Sequence, residues 1–188
     1  LCHSFLELAC MASFSDAHEC DEIPIIAANM HRMILPRQSQ IWAVVKAGQP
    51  LQKLYYQICS GLLGRLCFSG EPDALSAAQW TVMDEGTAFY GKAAPIIDHG
   101  VSQRFGSRIV SYRAPRGWQA VVRRGETQTL VVVHTFGAAP EAVTLPVGGK
   151  IAAQFMHEDL TATHLDGQLT VHGLTDFDAA AFILENEV

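Results

Sequence analysis

At 188 residues and 20.5 kDa, the chain is long enough for one ordinary domain or two small ones, with a core that needs no disulfide or metal staple. Apolar residues make up 49%, charged ones 17%, and mean hydropathy is +0.15, which excludes a disordered tail or a coiled coil. A formal net charge of -6, with no basic cluster stronger than Arg123-Arg124, argues against a surface that tracks nucleic-acid phosphates.

Leu1 to Ala9 places Phe5, Leu8 and Ala9 at helical spacing, and Ala12 to Ser15 reads as a short extended segment. Ile23 to Leu35 carries apolar residues at helical intervals, with Pro24 tolerated in the first turn and Pro36 as the stop. Ile41 to Val45 is an uninterrupted apolar run of the kind that a strand buried on both faces shows. Pro50 opens a helix at its first position, repeating through Leu51, Leu54, Tyr55, Ile58 and Leu62, and Leu66-Cys67-Phe68 is again short and apolar. Ser76 and Gln79 have the spacing of a capping box, and Leu75 with Trp80 that of a hydrophobic staple. A helix should therefore run from there to an end between Gly91 and Gly100. Helices alternating with single strands signal parallel strands joined by crossovers.

From about Val101 the period changes. Arg108 to Ala114 and Trp118 to Arg123 flank Ala114-Pro115-Arg116-Gly117, which predicts an antiparallel hairpin. Thr129 to Phe136 is continuous enough for a central strand. Glu141 to Val147 and Ile151 to His157 are separated by Gly148-Gly149, read as a two-residue hairpin loop. Asp166-Gly167 marks another hairpin, and Phe177 to Leu184 makes a last strand. About seven strands at this spacing mean a small antiparallel β-sandwich, with the boundary between the two halves near Asp98 to Ser102.

No apolar run approaches the roughly 20 residues that span a bilayer, because Asn29, His31, Arg32, Lys46 and His134 interrupt the longest candidates. No membrane partner and no nucleic acid is expected. Cys2, Cys10, Cys20, Cys59 and Cys67 are an odd set without a CxxC pair, which points to free thiols in a reducing, cytoplasmic compartment. The chain begins at Leu1 and its opening lacks the basic start and apolar stretch of a signal peptide, so it reads as a piece of something longer.

The densest polar cluster runs from Ser13 to Glu22, between a short strand and a helix. If that strand is parallel, the cluster sits where α/β folds place their active sites. Asp16 and Glu19 also have capping-box spacing, so helix capping competes with catalysis. His18, Glu19 and Cys20 are too close together in sequence to converge on one ion, and no second ligand pair supports them, so no metal is expected. His134, inside an apolar strand, reads as a hydrogen-bonded core histidine. Gly61 to Gly64 reads as a helix end. No phosphate-binding glycine loop, dinucleotide fingerprint or nucleophile elbow is present.

The segments Ser13 to Glu19, Glu22 to Arg32, Leu35 to Val44 and Leu63 to Gly70 resemble the C-terminal part of the α-galactosidases of glycoside hydrolase family 36. The likeness continues through Gln79-Trp80, Ala88-Phe89-Tyr90, Ser111-Tyr112-Arg113, Gly117-Trp118-Gln119 and Val133 to Phe136. It implies an α/β plus β architecture. Residues 1–100 would be the C-terminal portion of a TIM (β/α)8 catalytic barrel, contributing strands six to eight, and residues 101–188 a C-terminal antiparallel β-sandwich. It also implies hydrolysis of terminal α-linked galactose with retention, no cofactor, and a homo-oligomeric full-length enzyme.

By this resemblance Asp16, in Phe14-Ser15-Asp16, is the general acid/base. His18 and Glu19 match the motif beside it and would orient it or bind the sugar. Arg37 lies before the seventh strand, at the stabilising face of the barrel, and Trp42 and Trp118 sit in strand patterns that favour packing over sugar stacking. The family's nucleophile lies on an earlier strand in a Lys-x-Asp motif, which this sequence does not contain. The chain alone is therefore expected to be inactive. A non-catalytic carbohydrate-binding or scaffold module, and a relative that transfers galactosyl groups or accepts a different α-sugar, are the alternatives.

Overall fold

The computed structural model describes residues 11–13 and 20–186. β1 (Ala12–Ser13), β2 (Ser39–Val45) and β3 (Arg65–Gly70) form a parallel sheet in that order. Parallel neighbours need a crossover, and α1 (Ile23–Met30) and α2 (Leu51–Gly61) supply the two here. The expected helix from Ile23 to Leu35 ends early, at Met30. Met33 and Ile34 both turn their N–H groups back onto the Met30 carbonyl, at 2.8 and 3.0 Å. Leu35 is already extended, as the residue before a proline prefers. Pro50 occupies the cap of α2, and Leu51 is the first helical residue.

α3 (Ala77–His99) starts on the capping box read from the sequence. Gln79 N–H donates to Ser76 Oγ at 3.2 Å, and Ser76 N–H donates to Gln79 Oε1 at 2.9 Å. Leu75 packs against the core, whereas Trp80, its expected staple partner, is 43% exposed.

The remaining strands form two antiparallel sheets. One holds β4 (Val101–Gly106), β5 (Trp118–Arg124), β6 (Gln128–Thr135), β11 (Ala179–Glu185) and β8 (Lys150–Phe155), in that spatial order. The other holds β7 (Ala142–Pro146), β10 (Gln168–His172) and β9 (Thr161–Leu165). This is the expected β-sandwich, with two connections that differ from the sequence reading.

The partner of β5 is β4, not Arg108 to Ala114. Gly106, at φ +112°, turns the chain out of the sheet, and Ser107 N–H closes on Trp118 O at 2.8 Å. Residues 108–114 form an excursion. Pro115 to Gly117 make no hairpin turn, because their backbone groups pair with Phe136 and Gly137 across the end of β6. Gly148-Gly149 joins the two sheets rather than closing a hairpin, since β7 pairs with β10 and β8 with β11. Gly149 has φ +105°, and a Cβ there would lie 2.2 Å from Glu185 O. The Asp166-Gly167 hairpin forms as read, with both residues at positive φ, 50° and 70°, as a type I′ loop requires.

The five-stranded sheet is buried on both faces. Leu130, Val132, Ala181 and Ile183 pack with Leu54, Ile58 and Phe89 of the helices. Val131, Val133, Phe182 and Leu184 pack with Val143, Leu145 and Leu169 of the smaller sheet. That double burial is why β6 and β11 read as continuous apolar runs rather than alternating ones. Among the described residues, no helix is long and apolar enough to cross a membrane.

Candidate active site

Parallel sheets present their chemistry where the strands end, and here β1, β2 and β3 end at Ser13, Val45 and Gly70. Val45 and Gly70 are register partners, and Glu71 N–H donates to Val45 O at 2.9 Å. Gly70 has φ +109°, and a Cβ on it would lie 2.0 Å from that same carbonyl. The chain leaves β1 at this edge after Ser13. Asp16, His18 and Glu19 follow in sequence and lie outside the described residues.

The frame on either side is well defined. Trp42 Nε1 donates to Ser13 Oγ at 3.0 Å, which fixes the end of β1 against β2. Trp42 is half-buried, on the sheet face opposite to the buried Ile41, Ala43 and Val45. On the far side, Lys53 Nζ lies 2.5 Å from Asp21 Oδ1, and Tyr56 OH donates to Asp21 O at 2.9 Å. Lys53 was not a sequence candidate. Its signal was positional, because the first turn of α2 follows β2 at the same sheet edge. Burial opposes the Lys53 charge, yet its contacts with Asp21 and Cys20 outweigh that and raise its pKa. Burial pushes the Cys20 thiol up to about 11 despite Lys53, so at neutral pH it is no nucleophile.

The loop after β2 is fastened by one side chain. Gln79 Nε2 donates toward the carbonyls of Lys46, Ala47 and Gln49 at 3.2, 3.1 and 3.0 Å, while its Oε1 serves the capping box. Gln79→Ala removes the reciprocal half of the cap and leaves these carbonyls without that donor. A loss of about 2 kcal/mol in urea unfolding is expected, with faster amide exchange confined to residues 46–49.

Polar contacts also tie the parallel sheet and its helices to the sandwich. The fully buried Asp178 accepts from Gln52 Nε2 at 2.6 Å and His157 Nε2 at 2.8 Å on one oxygen. Thr175 N–H and Thr175 Oγ1 donate to the other, both at 2.7 Å. Thr175 and Asp178 stand three apart, a turn-capping spacing that could have flagged them. Arg123, 1% exposed, reaches Leu63 O at 2.7 Å and Ser102 Oγ at 2.9 Å, beside His31. Arg37 donates to Asp98 O at 3.2 Å, a structural contact. Gly61 closes α2, as read.

His134 is the buried, hydrogen-bonded strand histidine that the sequence implied. Its Nε2 lies 3.1 Å from Ser60 Oγ and 3.3 Å from Tyr56 O, and its ring meets Tyr56 edge-on at 5.0 Å. Burial lowers its pKa to about 3, and burial together with Arg123 lowers that of His31 to about 4. Both are neutral in the native state, while the unfolded chain takes up protons below about 6.5. Their contribution to stability is therefore complete above that pH and is lost as pH falls toward 4 and then 3. Each accounts for up to about 1.4 kcal/mol per pH unit. Urea midpoints should fall between pH 6.5 and 4.5, and less steeply in a His31→Asn variant.

No protein-family model matches the chain, and no curated protein does either. Solved structures match it over nearly its whole length. The family 36 α-galactosidase AgaA from Geobacillus stearothermophilus covers 92% of this chain with a TM-score of 0.63 at 14% identity. The α-galactosidase from Lactobacillus brevis covers 93% with a TM-score of 0.66 at 11% identity. The chain has the fold of part of a family 36 α-galactosidase. It spans about a quarter of those enzymes' length, 25% and 26% respectively, consistent with their C-terminal portion. An α-amylase from Anoxybacillus also matches, with a TM-score of 0.55 at 12% identity, over 94% of this chain and 48% of that one. At these identities the likeness is one of fold.

Proposed function

We propose that the chain is the C-terminal portion of a retaining α-galactosidase. In this reading residues 1–100 supply the last strands of a (β/α)8 barrel and residues 101–188 its C-terminal sandwich. Asp16 is the general acid/base, and His18 and Glu19 orient it or bind the sugar. The observation that carries the reading is the joining of motif and place: Phe14-Ser15-Asp16 directly follows a strand that ends at the C-terminal edge of a parallel sheet.

Retention needs two carboxyl groups about 5 to 5.5 Å apart, one attacking the anomeric carbon and one protonating the leaving oxygen and later deprotonating water. Asp16 serves the second role. The first belongs to an aspartate on an earlier strand, supplied by polypeptide outside this sequence. Variants of AgaA are described in complex with raffinose and stachyose, which supports α-galactosides of that type as substrates. The reading calls for no cofactor or metal, and a cytoplasmic enzyme fits the free thiols of Cys20, Cys59 and Cys67. The α-amylase match supports a second reading, a relative acting on a different α-sugar.

The purified chain should not hydrolyse an aryl α-galactoside or an aryl α-glucoside. Turnover by the chain alone that disappears in Asp16→Asn would overturn the assignment of the nucleophile elsewhere. In an enzyme extended to carry the nucleophile, turnover of the glucoside and not the galactoside would favour the second reading.

A further inference from the structure

Three arginines stand where the end of α1 meets the sandwich: Arg32 just beyond the helix, Arg104 on β4 and Arg123 on β5. Ser102 and Arg104 point to the same face of β4, and Arg123, the register partner of Ser102, donates from Nε to Ser102 Oγ at 2.9 Å. Arg123 Nη2 lies 3.2 Å from His31 Nε2, next in sequence to Arg32, and after burial Arg32 is the largest influence lowering the Arg104 pKa. The three grade from exposed Arg32 through half-buried Arg104 to Arg123, 1% exposed. Among the described residues none of them forms an ion pair.

Structural duty does not use up their donors. Arg123 Nε and Nη2 serve Ser102 and Leu63 O, yet the enclosed Nη1 has no partner, and a buried donor without one is costly. Arg104 spends one N–H on Ser107 O at 3.0 Å, and the Arg32 side chain makes no hydrogen bond among the described residues. The negative end of α1 complements Arg32 but not the other two. Tyr112 stands beside them, half-exposed. Asn29 Nδ2 donates to its phenol oxygen at 2.8 Å, which leaves the phenol hydrogen without an acceptor among the described residues.

We propose that Arg32, Arg104 and Tyr112 form a binding site for a phosphoryl dianion, either free phosphate or a phosphate monoester, with Arg123 as the charge behind it. A guanidinium presents a planar fork of N–H groups that matches two phosphoryl oxygens, so two forks and a phenol O–H suit the terminal oxygens of one phosphoryl group. A carboxylate, with two oxygens, would leave one fork unused. A dianion also relieves the repulsion between Arg32 and Arg104, and Arg123 needs no direct contact to add to the attraction, because buried charge is screened little. Nothing in this site depends on the glycosidase reading.

Isothermal titration calorimetry of the whole chain with inorganic phosphate and with glucose 6-phosphate, at an ionic strength held constant with chloride, tests the site. A single saturable site with a dissociation constant below about 1 mM is expected. Tighter binding of glucose 6-phosphate identifies a phosphorylated small molecule as the ligand, and equal binding identifies the phosphate group itself. Arg32→Gln, at an exposed position, and Arg104→Met, which keeps an apolar stem, should each weaken binding about tenfold or more, and Tyr112→Phe by less. Arg124→Gln removes an exposed arginine of β5 that bonds Gln103 at 3.2 Å, and it should leave binding unchanged. Absence of saturation overturns the proposal. So does binding that Arg32→Gln leaves intact, or that Arg124→Gln weakens as much as Arg32→Gln does.

Discussion

Asp178→Ala is expected to cost about 3 to 5 kcal/mol of stability, the range seen when one partner of a buried charged network is removed. The carboxylate is fully buried and accepts from four donors on three residues, Gln52 on α2, His157 after β8 and Thr175 before β11. Its own N–H donates to Thr135 Oγ1 at 2.9 Å, whose hydroxyl in turn serves Thr175 O at 2.6 Å. Alanine leaves donors from two sheet strands' flanks and a helix facing a void that water must fill. Asp178→Asn does not rescue it, because the new amide N–H groups would face donors. Urea unfolding at neutral pH measures the loss, and a value below about 1 kcal/mol would show that the network is solvated and contributes little.

Gly70→Ala should be of similar size, roughly 3 kcal/mol or more, for a different reason. The backbone stands at φ +109°, where a side chain is strained, and the added carbon would lie 2.0 Å from Val45 O, an atom held in the sheet and bonded to Glu71 N–H. The carbonyl is held by Glu71 N–H and by the terminal pairing of Val45 with Gly70. Relief therefore requires the ends of these strands to part. Amide exchange should accelerate at Glu71, whose N–H donates to Val45 O, and not in the sandwich. Exchange that rises uniformly would place the strain in global stability instead.

Much of the fold was legible because local chemistry fixed it. The Ser76–Gln79 box starts α3, Asp166-Gly167 closes the β9–β10 hairpin, and the apolar runs at β6 and β11 mark strands buried on both faces, whereas the run at β2 buries Ile41, Ala43 and Val45 on one face and leaves Trp42 and Val44 half-buried on the other. What was illegible was pairing between distant segments. Alternation in β7 and β8 shows that each has a buried face but not which sheet owns it, so Gly148-Gly149 looked like a hairpin and is a crossing between layers. Arg108 to Ala114 has strand-like composition, yet Gly106 and Ser107 end β4 before it and Gly137 takes its would-be turn. The Lys53–Asp21 pair and the Gln52–Asp178 bond join residues far apart in sequence, 32 and 126 positions, with no motif linking them. Asp16, His18 and Glu19 came from motif resemblance, and their case rests on the strand that precedes them and the Cys20–Asp21 anchor that follows.

The most direct test is the hydrolysis of an aryl α-galactoside by this sequence extended upstream to include a strand with a Lys-x-Asp motif, compared with its Asp16→Asn variant and with the 188-residue chain alone. The expected result is retained-configuration galactose from the extended enzyme, a fall of about 10² to 10⁴ in kcat/KM for Asp16→Asn, and no turnover by the chain alone. An extended enzyme that keeps full activity with Asn at position 16 would contradict the assignment of the acid/base.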